Sequence, residues 1–154
     1  MKRSSFLDRL HAAARRNRWL GWLAGLTRGL LALGFLPSGW TKLAGHRFTR
    51  LGVDTEVGFF FEALYRSGFY YRFLGLAQLL AALLILLPRT RTVGAVMYFA
   101  IIVNIYLITL SMAFAGTTYV TGLMLLGAVF LLCWDYDRVV CLVRGPVSPL
   151  RPAP

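Results

Sequence analysis

The sequence predicts an all-α membrane protein: an antiparallel four-helix transmembrane bundle with an N-terminal amphipathic interfacial helix. Three observations predict it. Hydrophobic residues make up 58% of the 154-residue chain, against roughly 45–50% in an ordinary soluble domain. They are gathered into long runs with few charges, which reads as membrane-embedded. The basic residues, 17 Lys and Arg against 6 Asp and Glu for a net charge of +11, flank those runs, as the positive-inside rule requires. The length is one domain's worth.

In a soluble chain such a charge would first suggest nucleic acid. Here its placement suits orientation and contact with anionic lipid headgroups, and no nucleic-acid motif is present. Membrane lipid is the expected contact and nucleic acid is not.

Residues 1–27 are basic and amphipathic, with Arg9, Arg15, Arg16 and Arg18 set against Phe6, Leu7, Leu10, Trp19 and Trp22. They predict an interfacial helix whose start resembles a capping box, Ser5 with Asp8. Arg15-Arg16 lacks the rest of an export signal, so the segment is expected to be retained.

The bundle domain is expected over 28–138. Its first span has two registers. One, Trp19–Leu36, places Arg28 at mid-membrane, which costs about 2.5–3.5 kcal/mol on insertion scales. The other, about 28–44, lets Arg28 snorkel inward and Lys42 outward, and is preferred. Pro37 should kink it. Gly21, Gly25 and Gly29 could permit close helix approach.

Residues 45–69 form the long external loop. Within it Asp54 should cap a short helix ending near Gly68. Val57, Phe60, Phe61 and Leu64 share one face, and Glu56, Glu62 and Arg66 take the other. This helix should lie on the outer membrane surface or lid the bundle.

The remaining spans are expected at about 70–87, 92–114 and 119–134. Pro88, Arg89 and Arg91 mark one turn, and Gly116, Thr117 and Thr118 the other. The tail, 139–154, is proline-rich and expected to be disordered toward its end. Basic residues before span one, between spans two and three, and after span four place both termini in the cytoplasm of a bacterium, with the chain in the inner membrane. Cys133 and Cys141 have neither redox nor metal-ligand spacing and read as unpaired thiols.

The ordered cues Arg28-Gly29, Leu36-Pro37-Ser38-Gly39-Trp40-Thr41-Lys42-Leu43, Tyr71-Arg72-Phe73-Leu74-Gly75-Leu76-Ala77-Gln78, Pro88-Arg89-Thr90-Arg91-Thr92 with Gly94, Asn104, and Trp134-Asp135-Tyr136-Asp137-Arg138 resemble the DoxX-like family of small bacterial four-helix membrane proteins. The match covers roughly residues 28–138. The resemblance implies membrane location and four helices. It also implies a link to thiosulfate:quinone oxidoreduction as a membrane subunit, or to complexes handling thiol and oxidative stress.

Polarity at mid-membrane depth is the best physical handle on a site. Ser38, Gln78 and Asn104 fall near the centres of three spans at similar depth and could converge, as interhelical hydrogen-bond glue or as a polar site for a quinone headgroup; helical rotation, which decides it, is not readable from the sequence. Tyr98, Tyr106 and Tyr119 could add donors or stacking faces. Lys42 and His46, with Arg47, Arg50 and Arg72, read as snorkelling and loop residues or as an anion-attracting external mouth. Asp135 and Arg138 can pair at i, i+3, and with Asp137 form a solvated helix end or a docking point for a partner.

No nucleotide, zinc-protease, haem or nucleophile-elbow motif occurs. His11 and His46 fall on opposite membrane sides, and no metal site is expected. A self-contained enzyme is not expected. Three functions follow: an accessory or anchor subunit of a redox-linked membrane system contacting quinone, a ligand-free structural or assembly subunit of a larger complex, or a small-solute carrier or lipid-binding protein.

Overall fold

A computed structural model describes residues 17–114 and 116–144. The expected N-terminal start signal at Ser5 and Asp8, the Arg15-Arg16 pair, His11 and the proline-rich end of the tail lie outside the described residues. Those described form six helices and no strand: α1 Arg18–Leu43, α2 Glu56–Arg66, α3 Phe69–Leu86, α4 Arg91–Ser111, α5 Thr117–Trp134 and α6 Tyr136–Arg144. Helices α1, α3, α4 and α5 are long and apolar enough to cross a membrane. The protein is a membrane-spanning helical bundle. Leu76, Leu80, Leu83, Leu123 and Leu126 are exposed on its outer surface, where lipid covers them.

The first span differs from the expected boundary. Helix α1 runs unbroken for 26 residues through position 28, so both registers belong to one helix about 39 Å long at 1.5 Å per residue. That exceeds a hydrocarbon core of about 30 Å. Asn17, not a residue near Arg28, starts it, its side chain accepting from Trp19 N at 3.0 Å.

Consecutive spans are antiparallel and close into a ring, α1 against α3, α3 against α4, α4 against α5, and α5 against α1. In lipid there is no hydrophobic force between helices, so small residues must let backbones approach. A Cβ on Gly75 would lie 2.6 Å from Leu43 N and 2.7 Å from Gly39 O, so α1 and α3 touch through their backbones there. Gly94 does the same for α4, where a Cβ would collide with the Ile85 backbone nitrogen. Ala81, Ala82, Ala95 and Ala128 are buried with Phe35, Tyr98 and Ile102 in the core. Among the described residues nothing lies within 4 Å of a Cβ added at Gly21, Gly25 or Gly29, so they mediate no helix approach there.

The loop helix α2 lids the bundle, packing against α3. Its cap is Thr55 rather than Asp54: the Thr55 hydroxyl accepts from Gly58 N at 3.1 Å. Glu62 on its polar face accepts from Arg66 Nε at 2.9 Å and also pairs with Arg47. Arg66 and Arg47 together hold the Glu62 carboxyl below its ordinary value, the Arg66 hydrogen bond contributing most.

Candidate functional site

Helices α1, α3, α4 and α5 line a cavity of about 230 Å³ at the end that carries α2. Its walls are apolar: Phe35 from α1, Leu74 from α3, Ile102 and Ile105 from α4, Val120 and Met124 from α5. Phe60, Phe61 and Leu64 of α2 close one side, with Phe48 from the loop. The α2 face with period i, i+3, i+4 is therefore apolar because it roofs this cavity.

One wall is polar. Lys42 is only 4% exposed. Its Nζ donates to Ser38 Oγ at 2.5 Å and to Ser38 O at 3.3 Å, and lies 4.3 Å from the centre of the Phe48 ring. Ser38 Oγ in turn donates to Gln78 Oε1 at 3.4 Å. The direction of this chain is set at its start. Lysine as an ammonium can only donate, so the Ser38 oxygen accepts and its proton goes on to Gln78. Gln78 is fully buried, and its Nε2 donates to no protein atom among the described residues. On the far wall Thr109 and Thr121 are 3.0 Å apart, oxygen to oxygen, and also bond backbone carbonyls.

The opposite end of the bundle carries a second cluster. Asp135, the C-cap of α5, is fully buried. Its Oδ2 accepts from Arg28 NH2 at 3.0 Å, and its Oδ1 lies 3.9 Å from Arg91 Nε. One carboxylate thus ties α1, α4 and α5 together. The backbone at Asp135 breaks between α5 and α6, which removes the i, i+3 face expected to pair it with Arg138. Arg138 instead bonds the Asp135 carbonyl through its backbone N–H, at 2.9 Å.

No family model matches the chain, and no solved structure matches it. Among the curated proteins, the uncharacterized protein YwoB of Bacillus subtilis is 31% identical over 142 residues, covering 88% of each chain. The chain belongs to the YwoB family.

In this YwoB-family protein the expected polar trio comes together only in part. Ser38 and Gln78 are bonded, but Asn104 is exposed on the outer face of α4. The reason is rotation. Ile102, Ile105 and Thr109 face inward, and Asn104 stands about 200° round the helix from Ile102 at 100° per residue. Tyr98 is buried outside the cavity lining, its hydroxyl donating to Leu31 O at 2.9 Å and its ring stacked on Phe35 at 3.9 Å. Tyr106 is half-buried beside Gly122, also outside the lining. Tyr119 is exposed.

The external mouth does not assemble either. Lys42 turns into the cavity instead of snorkelling outward. His46 and Arg72 are exposed; the His46 carbonyl accepts from Tyr71 OH at 2.7 Å, and Arg72 packs over Gly45. Asp137 and Arg138 are exposed, whereas Asp135 is buried and cannot serve as a docking point. Cys133 and Cys141 are free and exposed. No metal-ligating cluster is present among the described residues.

Two members of this constellation escaped the sequence reading. Arg28 and Arg91 were assigned to headgroups and to the positive-inside pattern, yet both face Asp135. A signal existed: in an antiparallel bundle the start of α1, the start of α4 and the end of α5 share one end. Only the ring order that sets α1 beside α5 was missing.

Proposed function

We propose that this protein is an accessory or anchor subunit of a redox-linked system in the bacterial inner membrane, with both termini cytoplasmic, and that its cavity holds the ring head of a quinone. The observation that carries the reading is the polar wall of Lys42, Ser38 and Gln78, with a buried amide donor left over, on a cavity whose other walls are mostly apolar. A buried unpaired donor costs about 1–3 kcal/mol; a ligand carbonyl would remove that cost. The cavity, about 230 Å³, is below the roughly 300–1,000 Å³ of a drug-sized site. It suits a single ring, with any tail leaving between helices into lipid.

Three further features support the reading. The runs on which the resemblance to DoxX-like proteins rests take in Ser38, Lys42 and Gln78 of this wall and Arg28, Arg91 and Asp135 of the other cluster. The excess of Lys and Arg before α1, between α3 and α4, and after α5 favours cytoplasmic termini. Asn104, a polar amide exposed near the middle of a span, favours contact with another membrane subunit, since an amide facing lipid gains from an interhelical bond.

The test is a tagged purification from native membranes in mild detergent, with mass spectrometry of proteins and extracted lipids. Quinone recovered with the wild type and lost from an accumulating Gln78→Leu variant is the expected result. Recovery of the wild type without quinone would overturn the cavity reading. A second reading, a structural subunit with no ligand, is favoured by the Arg28–Asp135–Arg91 tie, which holds three helices by itself. It predicts stoichiometric recovery with a larger complex and no small molecule.

A further inference from the structure

We infer that the end of the bundle opposite the α2 lid carries a site for the phosphate of an anionic phospholipid, at the N-terminus of α4. An open cleft of about 650 Å³ lies there between the turn joining α3 to α4 and helix α6. Arg89, Thr92 and Val93 line one side of it, Arg138 and Leu142 the other. The start of α4 is uncapped. Its N-cap, Thr90, gives its hydroxyl to Leu84 O at 3.1 Å and makes no side-chain cap bond. The Gly94 N–H bonds Thr90 O at 2.9 Å, but the N–H groups of Thr92 and Val93 ahead of it have no acceptor among the described residues. Free N–H groups at the positive end of a 21-residue helix favour an anion.

The side chains around this helix end point the same way. Thr92 is only 7% exposed and lines the cleft, and nothing among the described residues bonds its hydroxyl. Arg89 and Arg138 are exposed, and neither pairs with a carboxylate among the described residues. Asp135, at the same end, is buried against Arg28 and Arg91, and among the described residues no carboxylate lines the cleft. A hydroxyl and two guanidinium groups can all donate to phosphate oxygens. The same two cations oppose a choline headgroup, so the site favours a lipid of net negative charge. The surroundings distinguish a lipid from free phosphate. Val93 and Val96 on α4 and Leu142 on α6 are exposed, so an apolar surface runs from the cleft along the span. Acyl chains would lie along it while the phosphate sits at the helix end.

The test uses the full chain, delipidated in a neutral detergent, with binding read by native mass spectrometry. The probes are dihexanoyl phosphatidylglycerol, dihexanoyl phosphatidylcholine and inorganic phosphate. Phosphatidylglycerol should bind about tenfold more tightly than phosphatidylcholine. Arg89→Gln and Arg138→Gln, both at exposed positions, should each weaken it about fivefold. Thr92→Val, which keeps the shape and removes the hydroxyl, should weaken it about threefold. Arg50→Gln removes the same charge from the lid end and should leave affinity within about twofold, being screened from the site. Equal binding of the two lipids, or a preference unchanged in Arg89→Gln and Arg138→Gln, would overturn the inference. So would displacement of phosphatidylglycerol by an equal concentration of inorganic phosphate, which would make this a free-phosphate site. Loss of a co-purifying protein from the two arginine variants with the lipid preference intact would assign the cleft to a protein partner instead.

Discussion

Replacing Asp135 with leucine should leave Arg28 and Arg91 at the same end of the bundle without the carboxylate that joins them. The Asp135 side chain is 1% exposed, Arg28 13% and Arg91 29%. The Arg28 bond at 3.0 Å therefore belongs to the buried class, and the Arg91 contact at 3.9 Å to the half-screened one. Breaking a buried pair by removing one partner costs about 3–5 kcal/mol, which at 1.36 kcal/mol per decade is about two to four powers of ten in the folding equilibrium. Removing Arg91 should cost about 1 kcal/mol or less, as expected for a partly exposed pair. Replacing Arg28 by methionine alone leaves the buried carboxylate with the longer Arg91 contact and should cost less than Asp135→Leu. The double variant Arg28→Met with Asp135→Leu puts apolar side chains together and should recover at least half of the summed loss. The assay is reversible unfolding in mixed micelles, followed by helical circular dichroism across the four proteins of the cycle. A coupling between Arg28 and Asp135 below about 0.5 kcal/mol, the scatter expected of independent sites, would refute the claim that this pair clamps α1 to α5.

Three other outcomes follow from the same geometry. Gly75→Val must push α1 and α3 apart and should destabilise the bundle by about 1–3 kcal/mol, whereas Gly21→Ala, which meets open space, should stay within about 0.5 kcal/mol of wild type; thermal unfolding of the two variants side by side checks this. Asn104→Leu should leave ligand affinity of the cavity unchanged, because the residue faces outward, and should reduce recovery of partner subunits in the purification; loss of ligand binding with normal accumulation would contradict the placement. The Glu62 carboxyl is held below its ordinary 4.5 by Arg66 and Arg47, so its contribution to seating α2 is fully present above that value and is lost as pH falls below it through the lowered folded-state value. Cysteine accessibility at a Phe60→Cys reporter should rise across that acid range in the parent protein. It should already be raised at neutral pH in Glu62→Gln.

The four spans were legible because hydrophobic length and flanking charge are local signals. The expected spans 70–87, 92–114 and 119–134 stand beside Phe69–Leu86, Arg91–Ser111 and Thr117–Trp134. The amphipathic lid was legible for the same reason, its period being readable within 11 residues. Helical rotation was not legible. In an α4 that is apolar all round, nothing in the sequence distinguishes the side bearing Asn104 from the side bearing Ile102, because lipid and core are equally apolar. Lys42 was misjudged for a related reason: snorkelling is the default for a lysine near a span end, and the inward route exists only because Ser38, one turn back, and Phe48, from the following loop, receive its ammonium. The Arg28–Asp135 pair spans 107 positions and depends on ring closure, which no local pattern encodes.

The two polar clusters differ in charge balance and in surroundings, and that difference separates scaffold from site. At one end Asp135 is met by cations from two other helices, and the result is a tie between α1, α4 and α5 whose members line neither the cavity nor the cleft. At the other, Lys42 and Ser38 are committed to one another and to Gln78, yet the chain of bonds ends in an amide donor beside an apolar space. If helix association were its only purpose, that network would be an inefficient one, since a half-satisfied buried network is worse than plain apolar packing. A leucine at position 78 would fill part of the space and bring α1 and α3 together through the Gly39 and Gly75 contact already present. The Gln78→Leu variant therefore separates the two possibilities through stability alone. An apolar side chain there should raise or preserve the unfolding temperature if the amide serves a ligand, and should lower it markedly if the Ser38–Gln78 bond is what holds the helices.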